Sequence, residues 1–191
     1  MQKNIVQHIR NHVDLSDSEV EVLNKYFKIH HCKKKELLLI ENKVCNQFYY
    51  VEKGCLRMYF INKKGVEQIT QFALEGWWIS DFQSFINGSL SEYYIQAVEE
   101  SRIVSIDHQN LDALVKALPQ LEKYFRLIMQ KAVGGAQLRS KLLYEMSKEE
   151  FFVHFSTSFP EFMMRVPQYM IASYLGLTPE YLSELRKKTI L

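Results

Sequence analysis

Cysteine, glycine and proline are scarce in this chain of 191 residues, which has 3 Cys, 7 Gly and 4 Pro. So little glycine and proline excludes a collagen-like or low-complexity chain. No apolar run approaches the ~18 residues that a membrane-spanning helix needs, so no membrane partner is expected. An odd, sparse set of cysteines favours free thiols over a disulfide framework, and a cytoplasmic location is therefore expected.

The residue patterns of common catalytic and metal sites are missing too. The three cysteines are too few and too widely spaced for an iron–sulfur site. His8 and His12 lie four residues apart and form only half of a metal site. Because residues 37–106 contain no histidine, a metal-dependent β-barrel enzyme is a poor match. No nucleophile elbow, phosphate loop or dinucleotide fingerprint occurs, so the sequence predicts no enzyme, no metal and no cofactor.

What the chain does contain is enough apolar surface for a core, with 47% hydrophobic and 13% aromatic residues. Its net charge is +2, and all of this excess lies in residues 165–191, which carry four basic and two acidic groups. The remainder balances 20 basic against 20 acidic groups. Two interpretations of the basic end are open: a solvated tail, which is the commoner case, or a footprint for nucleic-acid phosphates.

The hydrophobic period changes along the chain. Through about residue 30 apolar residues recur at helical spacing, and Ser16 with Glu19 has the spacing of a capping box. Short β-branched and aromatic runs then alternate with polar turns. They lie at 37–40, 48–51, 55–61, 66–72, 93–98 and 102–106. This spacing predicts an antiparallel sandwich or barrel.

Helical spacing returns after Asp107, which is placed to cap a helix over 108–117. A longer helix follows Pro119 and runs to about residue 143. Within it, apolar and small residues step by three and four residues, which is the heptad pattern of a coiled-coil seam. The predicted dimer interface consists of Leu118, Leu121, Phe125, Ile128, Ala132 and Gly135. The alternative is a helix that packs on its own domain.

Two adjacent glycines, Gly134 and Gly135, interrupt this helix, and each costs about 1 kcal/mol relative to alanine. They indicate either a close approach of two helix backbones or a flexible joint, and the place of Gly135 on the seam favours close approach. A second capping-box spacing, at Ser147 and Glu150, predicts a new helix and a domain boundary near 144–147.

The end of the chain carries the most specific pattern. Helical spacing begins at Pro167 and stops at Gly176, a residue suited to the left-handed conformation that ends a helix. Thr178-Pro179-Glu180 then supplies a cap, a first-turn proline and an acid at the positive helix end. Leu182 and Leu185 give the second helix its inner face. This pattern is typical of a helix-turn-helix, although an ordinary αα-hairpin shares much of it.

The second helix carries polar side chains of the length that contacts base edges and phosphates in a major groove. Arg186, Lys187 and Lys188 close that helix and are expected to contact phosphates. The predicted DNA-binding residues are Gln168, Thr178, Glu180, Tyr181, Ser183, Glu184, Arg186, Lys187 and Lys188.

A sandwich, a long dimer-type helix and a helix-turn-helix, in this order, resemble the Crp/Fnr family of bacterial transcription regulators. The resemblance covers nearly the whole chain. It is closest over Glu75-Gly76-Trp77-Trp78-Ile79-Ser80-Asp81-Phe82 and over Val166-Pro167-Gln168, followed by Ile171-Ala172-Ser173-Tyr174-Leu175-Gly176-Leu177-Thr178-Pro179-Glu180. It implies an α+β fold with an N-terminal antiparallel β jelly roll of the cyclic-nucleotide-binding type, a long dimerisation helix and a C-terminal all-α helix-turn-helix.

The resemblance also implies an organisation and a set of partners. The expected segments are a sensor domain over 1–118, the dimerisation helix over 119–144 and the DNA-binding domain over 145–191. The expected partners are a second copy of the chain, an inverted repeat in double-stranded DNA, RNA polymerase and a small-molecule effector of unknown identity.

The chain departs from the family where a cyclic nucleotide would bind. Family members hold the ribose with a Gly-Glu pair and the phosphate with a later Arg-Ser or Arg-Thr pair. These pairs fall on Ser80-Asp81 and Ser91-Glu92, so the arginine is missing and Glu92 would repel a phosphate. The expected pocket residues are Trp78, Ser80, Asp81, Phe82, Ser91, Glu92 and Tyr94. Their aromatic rings either fill the pocket or shape it for an apolar or aromatic ligand, and no response to cAMP is expected.

The recognition helix departs as well. In the family a Glu is followed four residues later by an Arg that binds guanine, whereas here Glu184 follows Glu180. The β-hairpin wing that comes next in the family is not in this sequence, which closes at Leu191. The rival interpretation is therefore a ligand-binding or protein-interaction module whose helix-turn-helix does not function.

Overall fold

The computed structural model describes residues 4–189. The helices are α1 (Ile5–Arg10), α2 (Asp17–Asn24), α3 (Phe82–Asn87), α4 (His108–Ala117), α5 (Gln120–Glu145), α6 (Lys148–Ser158), α7 (Pro160–Arg165), α8 (Gln168–Leu175) and α9 (Pro179–Thr189). The strands are β1 (Lys28–Cys32), β2 (Leu37–Leu39), β3 (Gln47–Lys53), β4 (Leu56–Ile61), β5 (Glu67–Ala73), β6 (Trp78–Ile79), β7 (Tyr94–Ala97) and β8 (Ser101–Asp107). Within the described range, none of these helices is both long and apolar enough to cross a membrane.

Contacts between residues divide the chain into two compact units. The first unit comprises the residues up to Phe60 together with Gln71–Gln130, and the second comprises Ile61–Thr70 together with the residues from Lys131 onward. The boundary lies inside α5, whereas the sequence predicts 119–144 as a segment of its own. The tip of the β4–β5 hairpin, residues 61–70, belongs to the second unit, which no sequence pattern indicates.

Two four-stranded antiparallel sheets have the strand orders β1-β8-β3-β6 and β2-β7-β4-β5. Strand β8 lies between β1 and β3, where Val104 is the register partner of Ile29 on one side and of Tyr50 on the other. Every one of the eight strands contributes a buried side chain to one apolar cluster, which therefore forms the core between the sheets. The sheets, the long α5 and the C-terminal helices confirm the predicted α+β jelly-roll architecture.

The prediction of helical structure through residue 30 is wrong at its end. Residues Lys28–Cys32 form β1, which pairs along its whole length with β8. The segment is mostly polar and has no apolar alternation, so the ladder with β8 rather than its own pattern makes it a strand. His30 is part-buried there, with Nε2 2.8 Å from Ser105 Oγ. The short elements α3, β6 and α7 also have no counterpart among the predicted ones.

The predicted helix caps are confirmed. The Ser16 side chain accepts from the Glu19 N–H, and the Glu19 carboxylate accepts from the Ser16 N–H at 2.8 Å. This backbone hydrogen bond is the main cause that lowers the pKa of Glu19 below its usual value. Ser147 and Glu150 form the same box at the start of α6, and Asp107 caps α4.

The first half of α5 packs on a second core within the first unit. Leu118, Leu121, Phe125 and Ile128 are at most 9% exposed and join a cluster with α1, α4 and the face of the β1-β8-β3-β6 sheet that points away from the first core. These four residues, which the sequence predicts for the dimer interface, are thus already removed from solvent by their own chain. Only the last two seam residues, Ala132 and Gly135, lie in an exposed stretch of α5.

Tyr124 of α5 connects three parts of this second core through its hydroxyl group. Trp78 Nε1 donates to Tyr124 Oη at 2.8 Å, and His8 Nδ1 lies 2.8 Å from the same oxygen. Because an indole N–H can only donate, Oη accepts from Trp78. Burial raises the pKa of Tyr124 well above its usual range, so the hydroxyl group stays protonated.

We expect Tyr124→Phe to lower the free energy of unfolding by about 1–3 kcal/mol, because it leaves the buried Trp78 N–H without its acceptor. Urea unfolding followed by tryptophan fluorescence measures the change. Tyr144→Phe is the matched control, since Tyr144 lies on the same helix and is 91% exposed. Coincident unfolding curves for wild type and Tyr124→Phe would show that this hydrogen bond contributes nothing.

Candidate nucleic-acid interface

Helices α6 to α9 surround an aromatic and aliphatic core in the second unit. The ring of Phe155 lies 5.7 Å from that of Phe162 and 5.4 Å from that of Tyr174, measured between centroids. The buried side chains are Phe151, Phe152, Phe155, Phe162, Val166, Met170, Ile171, Ala172, Leu175, Leu177, Leu182 and Leu185. All four helices contribute to this set, so each helix is held by its apolar face.

The predicted helix-turn-helix geometry is present in α8 and α9. Gly176 ends α8 in the left-handed conformation, at φ +70°, and Leu177 N donates back to Ala172 O at 2.9 Å. This closure is the C-terminal capping that only glycine adopts without steric cost. After the turn, Thr178 Oγ1 accepts from Tyr181 N at 3.2 Å and so satisfies one free N–H at the start of α9.

The apolar side of α9 is covered, and its polar side is open. Leu182 is fully buried and Leu185 is 4% exposed, both on the side that faces α8 and α6. All nine residues that the sequence predicts to bind DNA have solvent-accessible side chains. Gln168, Thr178, Glu180, Glu184, Lys187 and Lys188 are exposed, and Tyr181, Ser183 and Arg186 are half-exposed.

Charge is distributed along this open side in a definite order. Glu180 stands in the first turn of α9, and Arg186, Lys187 and Lys188 stand in its last turn. The negative charge therefore lies at the N-terminal end of the helix and the positive charges at its C-terminal end, where the helix dipole stabilises each of them. Glu184 lies one turn beyond Glu180 on the same open side, which makes the middle of the helix acidic and its end basic.

Sequence patterns did not indicate the contacts that hold α8 from outside the bundle. Arg139 of α5 donates from Nη2 to Tyr174 O at 2.8 Å, and its guanidinium carbon lies 4.4 Å from the centre of the Tyr174 ring. On the hairpin tip, Ile69 N donates to Ser173 Oγ at 3.0 Å. A lone serine and an arginine in an amphipathic helix carry no sequence signal for such a role.

The structure brings together two of the predicted ligand-pocket residues, in a way that occupies both. Ser91 Oγ donates to Asp81 Oδ2 at 2.7 Å, and Asp81 Oδ1 accepts from Ser84 N at 3.3 Å as the N-cap of α3. Residues 78–94, which carry the predicted pocket residues, are called the cassette here. The carboxylate at the family's ribose position is thus used within the cassette itself. The side chain at the family's arginine position is its hydrogen-bond partner.

The other predicted pocket residues do not converge on one cavity. Ser80 Oγ donates to Gln47 O at 2.9 Å and is buried, whereas Glu92 is exposed. Glu92, which the sequence predicts to repel a phosphate, thus lies on the surface of the protein. Tyr94 is half-exposed; it stacks on Tyr59 with centroids 5.0 Å apart and donates to Glu41 at 3.1 Å.

The aromatic residues of the cassette pack on the sheet face beside α5. Trp78 and Phe82 contact Phe48, with ring centroids 4.3 Å and 5.2 Å away. Between the sheets, Tyr49, Ile79 and other side chains that are at most 6% exposed fill the core. This packing agrees with the filled interpretation of the pocket rather than with an aromatic ligand site.

The cysteines lie inside the first unit and away from solvent. Cys32, Cys45 and Cys55 are all buried and free. Burial raises the pKa of the Cys32 thiol to about 11, so it stays protonated and unreactive near neutral pH. Across residues 4–189, no three His, Cys, Asp or Glu side chains are grouped so that they could hold a metal ion.

A cavity of about 710 Å³ lies outside the jelly roll, beside the loop between α1 and α2 and the start of α5. Its polar lining includes Arg10, His12, Glu19, Gln120 and Lys123. Arg10 already pairs with Asp17 at 2.6 Å, and Gln120 donates to Glu19 at 2.7 Å. Arg10, Gln120 and Glu19 are therefore already paired, and none of the lining residues belongs to the predicted pocket.

Comparison with known proteins agrees with this arrangement. Residues 29–117 match the family described as cyclic nucleotide-binding domain. The chain is 32% identical over 150 residues to the fumarate and nitrate reduction regulatory protein of Vibrio cholerae, a match over 72% of this chain and 58% of that protein. The chain thus spans less than two thirds of the length of this relative.

Solved structures share the fold at lower identity. FixK2 from Bradyrhizobium japonicum superposes with a TM-score of 0.73 at 18% identity, over 85% of this chain and 83% of FixK2. The c-di-GMP-responsive global regulator CLP of Xanthomonas campestris gives 0.72 at 15% identity, over 91% of each chain. The matched domain and the regulatory relatives agree with the resemblance to the Crp/Fnr family, and the solved structures show the same fold.

Proposed function

We propose that this chain is a DNA-binding transcription regulator of the Crp/Fnr type, which acts in the cytoplasm as a homodimer on an inverted repeat. The observation that carries the proposal is the open polar side of α9, which stands over the buried Leu182 and Leu185 of a folded helix-turn-helix. A contact with RNA polymerase and an effector other than cAMP are parts of the same proposal.

The charge order of α9 suits a helix that enters a major groove. Arg186, Lys187 and Lys188 are a cluster of cations for phosphate oxygens at the end of the helix. Glu180 and Glu184 are acceptors for the N4 amino group of cytosine, the contact that a carboxylate makes in this groove. The phosphate contacts would supply affinity on any sequence, and the carboxylates would supply base preference.

We expect the purified protein to enrich an inverted repeat from a random-sequence DNA pool at low salt, with half-sites ~10 bp apart, about 34 Å. On that site, Lys187→Gln should weaken binding similarly for all sequences and reduce the salt slope by about one. Glu184→Ala should instead relax preference at one base pair by about 1–3 kcal/mol. Fluorescence anisotropy at several salt concentrations measures both effects.

Lys116→Gln is the control for the charge change, because Lys116 is exposed on α4 of the first unit. It should leave the salt slope unchanged. Failure to enrich any palindrome would count against the regulator and in favour of a protein-interaction module. That second candidate is supported by exposed apolar side chains on the C-terminal unit, Met164 at 79% and Tyr169 at 50%.

The dimer would use a stripe of α5 that differs from the predicted seam by one residue. Crp/Fnr regulators bind DNA as dimers, and the first four seam residues are buried in their own chain. The exposed stripe begins beside the half-buried Met129 and consists of Val133, Ala136, Ser140 and Leu143, which also step by three and four residues. Val133 is 57% exposed and Leu143 is 47% exposed, so the stripe has apolar surface for a second copy.

We expect Val133→Asp to convert a dimer into a monomer, because each chain would bury an unpaired charge at the interface. Light scattering at several protein concentrations measures the mass. Leu138→Asp is the matched control, since Leu138 is 54% exposed on the opposite side of the same helix. A dimer that persists in Val133→Asp and dissociates in Leu138→Asp would place the interface on the other side of α5.

The cassette geometry argues against cAMP as the effector. A cyclic phosphate in this site would have no arginine partner, and its ribose would compete with Ser91 and Ser84 for the Asp81 carboxylate. Burial of an unpaired phosphate charge is costly. Both groups that bind cyclic nucleotide in the family are therefore either absent or already used.

We expect 1 mM cAMP or cGMP to leave the thermal unfolding temperature of the protein unchanged. A ligand at about 100 times its dissociation constant stabilises the folded state by about 2.7 kcal/mol, so a 10 μM site would give a clear shift under this condition. Calorimetric titration checks the same expectation directly. A dissociation constant in the micromolar range or below contradicts it.

A further inference from the structure

Ser173 of α8 makes hydrogen bonds to three residues of the β4–β5 hairpin. Its hydroxyl accepts from Ile69 N at 3.0 Å and donates to Glu67 O at 2.8 Å. Its backbone carbonyl accepts from the side-chain amide of Gln68. The hydroxyl group therefore uses its only O–H donor and one acceptor position on one segment of β5.

The contact uses backbone groups at the edge of a sheet. Strand β5 is at the edge of its sheet, so every second residue directs its N–H and C=O outward. Glu67 and Ile69 are two residues apart and have the same orientation. The Ser173 hydroxyl takes the place of a neighbouring strand, accepting from one residue and donating to the other.

The next residue of α8 is held from another element. Arg139 of α5 donates to Tyr174 O at 2.8 Å and covers the Tyr174 ring at 4.4 Å. Serine and tyrosine in the last turn of α8 thus bind the hairpin and α5 respectively. Two independent contacts restrain a helix of eight residues.

The position of α8 determines that of the recognition helix. Ile171, Leu175 and Leu182 are at most 3% exposed and join α8 and α9 in one core. The turn between them is closed by Gly176 and by the bond from Leu177 N to Ala172 O. A displacement of α8 against the hairpin would therefore carry α9 with it.

We propose that Ser173 is a positioning residue for DNA binding, whose hydroxyl fixes α8, and with it the recognition helix, to the edge of β5. The proposal rests on the proposed DNA-binding function. Glu180, Glu184 and Lys187 remain exposed while this contact is made, so the contact does not cover the recognition surface. It holds a binding-competent orientation, and its loss lowers the fraction of molecules in that orientation and hence the apparent affinity.

The contact itself is tested without DNA, by hydrogen exchange of the Ile69 amide followed by NMR. We expect Ser173→Ala to accelerate this exchange, because the amide loses its acceptor, and Ser173→Thr to preserve protection because it keeps the hydroxyl. Ser156→Ala is the matched control, since Ser156 is also a helix serine of this unit but bonds only locally to Val153 O. Unchanged Ile69 exchange in Ser173→Ala would overturn the proposal.

The role is tested by anisotropy on the selected inverted repeat. We expect Ser173→Ala to weaken binding about three- to tenfold, in line with the net contribution of a hydrogen bond, and Ser173→Thr to restore it. Wild-type affinity in Ser173→Ala, with accelerated Ile69 exchange, would overturn the positioning role. If Ser173→Ala does not fold, Gln68→Ala removes the neighbouring bond and is judged by the same two measurements.

The two proposals fail in different ways. If the wild-type protein selects no DNA, the DNA-binding function and the role of Ser173 in it both fall, even where the exchange result shows that the contact exists. If the wild type selects DNA and Ser173→Ala binds it equally well, only the positioning role falls.

Discussion

Burial of the first half of α5 against the β1-β8-β3-β6 sheet is the contact on which the other parts of the molecule depend. The ring centroid of Trp78 lies 4.3 Å from that of Phe48 and 5.7 Å from that of Phe125. The Tyr124 hydroxyl accepts a hydrogen bond from Trp78 Nε1. Fully burying one such side chain stabilises the fold by about 1.5–3 kcal/mol. This contact holds the N-terminal half of α5. The C-terminal half of the helix carries the exposed stripe and Arg139, which donates to Tyr174 O of α8.

The same aromatic cluster explains where the aromatic side chains of the cassette lie. Trp78 precedes Ser80 and Asp81 in the chain, and it is directed to α5 rather than to the space between the sheets. Ser91 bonds the Asp81 carboxylate directly at 2.7 Å. Although the arginine is missing, the buried Asp81 carboxylate is therefore not left unpaired.

Much of the fold was predictable because it depends on local chemistry. A few adjacent residues determine the capping boxes at Ser16 and Ser147 and the left-handed conformation of Gly176, and the structure confirms all three. Strand β1 was not predictable, since its stability comes from pairing with β8, which is about seventy residues away in the chain. The Ser173 contact is of this second kind, because both partners are ordinary residues until the fold brings them together.

The predicted seam of α5 shows what a heptad pattern cannot predict. A spacing of three and four residues marks an apolar side of a helix, but it does not say whether the partner is the same chain or another one. Leu121 and Ile128 carry the pattern because they enter the second core of the first unit, and a second stripe one residue later, with Val133 and Leu143, carries it again on exposed surface. In the proposed dimer, the first stripe would pack on its own chain and the second on the partner copy.

The two glycines of α5 now favour the flexible joint over close approach. A Cβ atom added to Gly134 or Gly135 would meet no atom within 4 Å outside the helix's own turns, so the described part of the chain does not require glycine there. Neither lies on the stripe with Val133, so a second copy packed on that stripe would not require it either. What the glycines do is weaken the helix, by about 1 kcal/mol each, a few residues beyond Ile128, the last buried residue of α5. Arg139 and Ser173 hold α8 through partners inside the second unit, so their contacts do not depend on this weak part of the helix.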